Sequence, residues 1–302
     1  MDPTLRTALI AAALVAGVGL LRPRGPAIVE ERGVHPSRFW AEKARARGRF
    51  DVVLAGDSRV FRGLSPGAMS ALAPAGRVHN FGFSSACACG PYLTFVADRV
   101  DPASARPTLV IGVTPHSLTP HAERDNGYLA EARRTPSEVA ERIYLAPALG
   151  FVEPIAPSEL TGALLGRPAM RSRYLQRYEA DGWVASALEP AEPDRALGEY
   201  RRVLSTSKVE RRLVEELGGV VAELRARGVR VVAFRPPASA AMRALEAELA
   251  GFDEAFVRAS LTAAGADYVD VDPDAYATYD GSHLGEEAAV RLSRDLARAI
   301  AR

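Results

Sequence analysis

The stretch Asp51–Arg59, Asp-Val-Val-Leu-Ala-Gly-Asp-Ser-Arg, decides the fold of this chain. A short apolar run that ends in a glycine and polar residues is typical of a strand buried on both faces. We therefore predict a core strand over Asp51–Gly56. Gly56 lets the backbone turn sharply, so that Ser58 begins the next segment. If that segment is a helix, its first amides favour an anion at the serine oxygen, although Asp57 or Ser58 could equally serve as a helix cap.

Apolar runs of the same kind recur along the chain and predict four more strands: Arg77–Phe81, Pro107–Val113, Val229–Arg235 and Asp267–Asp272. Helical patterns separate these runs, and the clearest of them cover Lys208–Arg227 and Gly285–Arg302. Alternation of strands and helices indicates a mostly parallel sheet with helices on both faces. We predict an α/β fold, a three-layer α/β/α sandwich around five strands.

The composition is that of an ordinary globular protein. The chain has 302 residues, of which 48% are hydrophobic and 25% charged, and its formal net charge is +1. These values exclude wholesale disorder and a low-complexity chain, and the charge balance does not favour a nucleic-acid partner. Cys87 and Cys89 are separated by one residue, which makes them poor partners for each other, and we expect them to pack in the interior.

The amino-terminal region predicts a membrane anchor. Thr7–Leu21 is an uncharged apolar run that suits a signal peptide or a short signal anchor, while a buried helix of the globular domain is the alternative. We expect residues 1–24 to form this element, residues 25–50 a linker and leading helix, and residues 51–302 the main domain. The main domain would then lie outside the cytoplasm, in the periplasm or at the cell surface, or be secreted after cleavage.

A long interval interrupts the strand–helix rhythm at about residues 115–205. It contains several prolines and two stretches with helical patterns, Ser137–Ile143 and Arg167–Ala180. Such a length is too great for a single crossover, so we interpret it as a helical insertion. It could cover the carboxyl edge of the sheet, where open α/β folds bind ligands, or lie at the periphery.

A second polar motif, Asp280-Gly-Ser-His283, lies between the last predicted strand and the last helix. On a tight loop, this spacing lets the Asp280 carboxylate reach one ring nitrogen of His283 and leaves the other nitrogen free to face a nucleophile. A helix-capping loop with a surface histidine is the alternative. Because loops that follow parallel strands emerge at one edge of the sheet, Ser58 and His283 are expected to meet there.

At these residues the chain resembles the SGNH (GDSL-type) hydrolase superfamily. Gly56-Asp57-Ser58 matches the block that carries that family's nucleophile, and Asp280 and His283 match its D-x-x-H block. The resemblance covers roughly Asp51–Arg302 apart from the insertion. It implies a flavodoxin-like sandwich and a Ser58–His283–Asp280 triad that acts without a cofactor. His116 and His121 lack acidic or cysteine ligands at metal spacing, so no metal site is expected.

The two middle blocks of the family match only in part. They contain Asn80-Phe-Gly82 and, at the family's oxyanion-hole positions, Ser85 in place of glycine and Thr114 in place of asparagine. The resemblance implies an oxyanion hole formed by Ser58, Ser85 and Thr114. The expected substrate-binding residues are Arg59, Asn80, Gly82 and Arg235; for Arg59 and Arg235, structural ion pairs are the alternative.

Four features make the chain similar to membrane-anchored SGNH-type proteins linked to O-acylation of polysaccharide and D-alanylation of teichoic acid: the anchor, the segment Gly56–Gly63, the missing asparagine and Arg235-Pro236-Pro237 after the fourth strand. The expected function is that of a serine esterase or O-acyltransferase. Its substrate would be an acylated carbohydrate or another ester, and an integral-membrane acyltransferase is a further expected partner. The alternatives are a binding or assembly protein without catalysis and a cytoplasmic lipase-like hydrolase.

Overall fold

The computed structural model describes residues 33–70, 76–149 and 173–301, together with residues 2, 5–7, 10 and 13. The strands are β1 (Val52–Ala55), β2 (Val78–Asn80), β3 (Thr108–Gly112), β4 (Arg173–Tyr178), β5 (Val184–Glu189), β6 (Arg230–Phe234) and β7 (Asp267–Val269). The helices are α1 (Pro36–Lys43), α2 (Ser58–Gly63), α3 (Pro66–Ser70), α4 (Gly90–Ala97), α5 (Pro120–Arg124), α6 (Gly127–Ala132), α7 (Pro136–Ala140), α8 (Ala146–Leu149), α9 (Leu197–Leu204), α10 (Arg211–Ala226), α11 (Ala240–Ala250), α12 (Glu254–Ala263) and α13 (Glu286–Ala301). A π-helical turn, Glu141–Leu145, joins α7 to α8, and 3₁₀ turns cover His116–Leu118 and Pro273–Ala275.

Five parallel strands form the central sheet, in the order β2-β1-β3-β6-β7. This is the strand order of flavodoxin-like doubly wound sheets. Successive strands are added on one side of β1 and then on the other, so the order changes direction between β1 and β3. The five strands predicted from apolar runs are confirmed, each with narrower bounds. The loops that follow β1 and β3 therefore leave the sheet side by side at its carboxyl edge.

Helices cover both faces of the sheet because alternate strand residues are apolar on each side. Val53, Leu109 and Val231 face a core shared with α4, α10 and α12. Leu54, Val110 and Val232 face a second core shared with α3 and α13. The predicted α/β sandwich is thus confirmed, with long amphipathic helices α10 and α13 where helical patterns were expected.

The predicted helical insertion contains a β-hairpin. Arg173–Tyr178 pairs antiparallel with Val184–Glu189, so the helical pattern assigned to Arg167–Ala180 is wrong for its described part. The turn between the strands contains Asp181-Gly182, a pair typical of hairpins. Pairing with a partner strand satisfies the backbone groups that a helix would have satisfied internally.

The hairpin is docked at the carboxyl edge of the sheet. Asn80 N, at the end of β2, donates to Asp181 O over 2.8 Å. The buried Lys43 ammonium donates to Gly182 O over 2.7 Å, and the Trp183 indole donates to Arg62 O over 2.9 Å. Trp183 is therefore a packing anchor rather than an open platform, and the hairpin is fixed beside α2.

The predicted anchor Thr7–Leu21 lies almost wholly outside the described residues. Within the part of the chain that the structure describes, no helix combines the length and apolar character needed to cross a bilayer. Cys87 and Cys89 are buried as expected, but they are joined by a disulfide, which corrects the expectation that they would not pair. The chain bends at Ala88 and Cys89, so that the Cα atoms of the two cysteines lie 5.1 Å apart, within reach of a disulfide.

Candidate active site

A sharp turn between β1 and α2 presents Ser58. Gly56 has φ 148°, and a Cβ there would lie 2.4 Å from Val60 Cγ2. Asp57 is the cap of α2, since its Oδ1 accepts from Arg59 N over 3.0 Å. The capping interpretation therefore holds for Asp57, whereas Ser58, at the first helical position, keeps its hydroxyl for another partner.

The loop between the 3₁₀ turn Pro273–Ala275 and α13 contains both Asp280 and His283, and Asp280 holds the His283 ring in place. Asp280 Oδ1 accepts from the amides of Ser282 and His283 over 2.9 and 2.8 Å. Its second oxygen lies 2.8 Å from His283 Nδ1. Gly281, at φ 88°, allows this tight loop, because a Cβ there would lie 2.4 Å from Pro193 O. The imidazole thus has its orientation and its tautomer set from one side.

The two sequence motifs meet through this imidazole. His283 Nε2 lies 2.8 Å from Ser58 Oγ, so a continuous chain of hydrogen bonds joins Asp280, His283 and Ser58. His283 and Asp280 are 8% and 7% exposed, which is inconsistent with a surface histidine on a simple capping loop. The geometry is that of an activated serine nucleophile with its base and orienting carboxylate.

Burial and charge keep the histidine available as a base. Burial lowers the pKa of His283, and the nearby Arg62 guanidinium lowers it further, against the opposing effect of Asp280. Burial raises the pKa of Asp280, but the hydrogen bond and charge of His283 outweigh it, so that the pKa lies below its ordinary value. At neutral pH the pair is therefore a carboxylate and a neutral imidazole, the protonation states that general-base catalysis requires.

Two tyrosines and an arginine form one wall beside His283. The Tyr279 ring stacks on the imidazole with a centroid distance of 6.0 Å. Its hydroxyl lies 2.9 Å from that of Tyr174 on the hairpin and accepts from Arg62 Nη1 over 3.3 Å. Burial raises the pKa of Tyr279 beyond the physiological range, so its phenol stays protonated. The hairpin thereby contributes Tyr174 to the surroundings of His283.

Thr114 does not supply the expected oxyanion donor. Its hydroxyl donates to Asp57 Oδ2, and its amide donates to Ser117 Oγ over 3.1 Å. The residue is fully buried, and both of its donors are used inside the protein. A threonine hydroxyl is shorter than an asparagine amide, so it reaches the capping aspartate instead of the space in front of Ser58. The prediction for Thr114 is therefore wrong.

Ser85 lies in the loop after β2 with a left-handed backbone. It has φ 49°, in the region that favours glycine. Within the described residues, its amide donates to no protein acceptor. The loop is held against the nucleophile turn, because Phe83 N donates to Gly56 O over 3.1 Å and Tyr92 bonds both segments.

Arg59 and Arg235 belong to a buried ion-pair network instead of a substrate-binding surface. Glu246 is fully buried and lies 2.6 Å from Arg59 Nη2 and 2.9 Å from Arg235 Nη2. Arg59 also donates to Ser282 Oγ over 3.0 Å, and Arg235 pairs with Glu254. Of the two interpretations, the structural ion pair therefore holds for both arginines. Arg59 thus supports the loop that holds His283, through its hydrogen bond to Ser282.

Asn80 and Gly82 are also structural, which corrects their assignment to substrate binding. The fully buried Asn80 amide donates to the carbonyls of Val60 and Leu64 over 3.0 and 2.9 Å, and its oxygen accepts from Gly82 N over 2.9 Å. A Cβ at Gly82 would lie 2.8 Å from Phe61 N. The two residues thus clamp the loop after β2 onto α2, and neither faces a ligand.

Sequence patterns did not reveal every residue around the site. Tyr279 directly precedes Asp280, so its position in the same loop was the available signal. Tyr174 lies in a segment to which a helical pattern was assigned, and Glu246 lies on a helix far along the chain. Among the described residues no cluster of three or more histidine, cysteine or acidic side chains could hold a metal ion.

A comparison of the sequence with models of known protein families and with curated proteins found no match. The likeness to SGNH hydrolases therefore rests on the motif residues and on the geometry described above.

Proposed function

We propose that this protein is an SGNH-type serine esterase or O-acyltransferase that forms an acyl-enzyme on Ser58. One observation carries the proposal: Ser58, His283 and Asp280 are joined by hydrogen bonds of 2.8 Å in the order nucleophile, base and orienting carboxylate. Three residues from two distant motifs meet in this arrangement at the carboxyl edge of a doubly wound sheet. That edge is where such folds bind their ligands.

The proposed reaction begins when Ser58 Oγ attacks the carbonyl carbon of an ester and His283 Nε2 accepts its proton. The amides of Ser58 and Ser85 stabilise the negative charge on the carbonyl oxygen. As the tetrahedral intermediate collapses, the bond to the alcohol oxygen breaks and His283 returns the proton to that oxygen. Asp280 stabilises the imidazolium throughout these steps.

Water or a sugar hydroxyl then attacks the acyl-enzyme, with His283 again removing the proton. Attack by water makes the protein an esterase, and attack by a sugar hydroxyl makes it an O-acyltransferase. We propose an acylated carbohydrate or cell-envelope polymer as substrate, at a location outside the cytoplasm. The predicted anchor would hold the domain at the membrane, where an integral-membrane acyltransferase could supply acyl groups.

Labelling with a fluorophosphonate tests the nucleophile. The full-length chain in detergent should form a covalent adduct at Ser58, with loss of fluoride, and should hydrolyse a small aryl acetate. Ser58→Ala and His283→Ala should abolish both signals, whereas Ser84→Ala, on the exposed position of the neighbouring loop, should leave both intact. A folded parent chain that is neither labelled nor active would contradict the proposal.

One observation favours a second candidate function, a carbohydrate-binding or assembly protein that has lost catalysis. The hydroxyl of Thr114 donates to Asp57 and its amide donates to Ser117. Thr114 therefore does not replace the third oxyanion donor of the resembling family. Loss of one such donor costs about 10²–10³ in rate. A binding protein would retain its biological function in Ser58→Ala, whereas an acyl-transfer enzyme would lose it.

A further inference from the structure

Arg62 differs from the other arginines close to the triad because it has no acidic partner. Arg59 pairs with Glu246, and Arg235 pairs with Glu246 and Glu254. For Arg62, no carboxylate lies within salt-bridge distance in the part of the chain that the structure describes. Its Nε is closed to water and has no hydrogen-bond acceptor there. A cation that folding has partly desolvated without a counter-ion is costly, unless an anion that is not part of the fold completes it.

The surroundings of Arg62 fix its guanidinium in place. The group lies 5.1 Å from the centroid of the Phe61 ring and 5.2 Å from that of Tyr174. Nη1 donates to the Tyr279 hydroxyl, and the main-chain oxygen accepts from the Trp183 indole. The side chain is partly exposed, so solvent and ligands reach part of it. Its orientation is therefore set before any ligand arrives, which lowers the entropic cost of binding.

Arg62 is also close to the reacting groups. Arg62 contacts Tyr279, whose ring stacks on His283, and the positive charge of Arg62 lowers the pKa of His283. A substrate whose ester lies at Ser58 therefore has a fixed cation beside it. A guanidinium recognises planar or tetrahedral oxyanions through several N–H groups at once.

We propose that Arg62 is a specificity-determining residue that binds an anionic group, a carboxylate or a phosphate, carried by the substrate next to the ester. This proposal rests on the proposed acyl-transfer function and narrows the substrate to esters that carry a negative charge beside the acyl group. Tyr174 and Tyr279 hold the cation in place.

Binding to the full-length Ser58→Ala protein tests the proposal without catalysis. The ligands are methyl glucuronoside as the carboxylate, glycerol 3-phosphate as the phosphate, and methyl glucoside as the neutral match. We expect one of the anions to bind about 10- to 100-fold more tightly than the neutral sugar, the range of a charge-assisted hydrogen bond. The anion that binds more tightly identifies whether the substrate group is a carboxylate or a phosphate.

Variants at position 62 supply the second arm. Adding Arg62→Gln to Ser58→Ala should abolish the preference for the anion. Arg62→Lys preserves the positive charge and should keep part of the preference; it serves as the second variant if Arg62→Gln disturbs folding. Arg177→Gln is the matched control, since Arg177 lies on the hairpin strand that carries Tyr174 but pairs with Glu179 and Glu286. Equal binding of all three ligands, or a preference that survives Arg62→Gln, would overturn the proposal.

Activity separates failure of this proposal from failure of the proposed function. With Ser58 intact, acetate release from mono-acetylated methyl glucuronoside and methyl glucoside should differ in kcat/KM, and Arg62→Gln should remove the difference. Fluorophosphonate labelling with no such difference refutes only the role of Arg62. A chain that is not labelled refutes acyl transfer, and the binding measurements then still decide whether Arg62 holds an anion.

Discussion

Replacing Glu246 by glutamine removes the buried carboxylate that pairs with both Arg59 and Arg235, behind the loop that holds His283. Glu246 is fully buried on α11, and its oxygens lie 2.6 Å from Arg59 and 2.9 Å from Arg235. Glutamine has the same shape, so the variant creates no cavity. It can accept from one arginine, but its amide group then points N–H donors at the other.

The expected loss follows from the burial of Arg59, whose side chain is 1% exposed. A pair of charges 4 Å apart contributes about 4 kcal/mol at an effective dielectric constant of about 20. Removal of one partner from a buried pair costs about 3–5 kcal/mol, because the remaining charge stays desolvated. Arg235 keeps Glu254, so we expect Glu246→Gln to lower the free energy of unfolding by about 3 kcal/mol.

Urea unfolding followed by circular dichroism measures this loss. Glu254→Gln is the matched control, since Glu254 is 37% exposed and, among the described residues, forms a salt bridge with Arg235 alone. Its loss should stay below about 1 kcal/mol. Because Arg59 also donates to Ser282, Glu246→Gln should slow fluorophosphonate labelling of Ser58. A loss for Glu246→Gln no larger than that of the control would refute the assignment of Arg59 and Arg235 to a structural network.

Three other predictions concern protonation and the backbone. Burial and the Arg62 charge lower the pKa of His283, so kcat/KM for an ester should rise with pH through an apparent pKa below 6.5, and Arg62→Gln should move this limb to higher pH. Burial and the Lys43 charge lower the pKa of His79 to about 3, so stability should fall as the pH decreases from 6.5 towards 3, where only the unfolded chain takes up the proton. His79→Phe should remove about 2–3 kcal/mol of that loss at pH 4.5, measured by urea unfolding; an unchanged pH slope would contradict it. Ser85→Gly should raise the unfolding free energy by about 1 kcal/mol, because the left-handed backbone suits glycine, and should preserve labelling, since the amide remains; a loss of stability would count against the loop geometry.

Local patterns in the sequence were sufficient to predict the sheet and the meeting of the two motifs. Apolar runs bounded by turn residues mark strands buried on both faces, and the five predicted strands all lie in the sheet. The three-residue spacing between Asp280 and His283 fixes a contact that depends only on a short loop. The strands and the contact between Asp280 and His283 are decided within a few residues, so a single sequence contains them. The meeting of Ser58 with His283, 225 residues away, was expected from the rule that loops after parallel strands emerge at one edge of the sheet.

The roles of the remaining polar residues were decided by the tertiary structure. Arg59 and Arg62 look alike in the sequence, three positions apart on one helix, yet Arg59 meets Glu246 and Arg62 meets two tyrosines. Thr114 turned inward to Asp57, and the hairpin that includes Tyr174 exists because a second strand pairs with it. These outcomes depend on partners that are distant in the sequence, and the free energy of a buried charge or donor is set by those partners rather than by its own residue type.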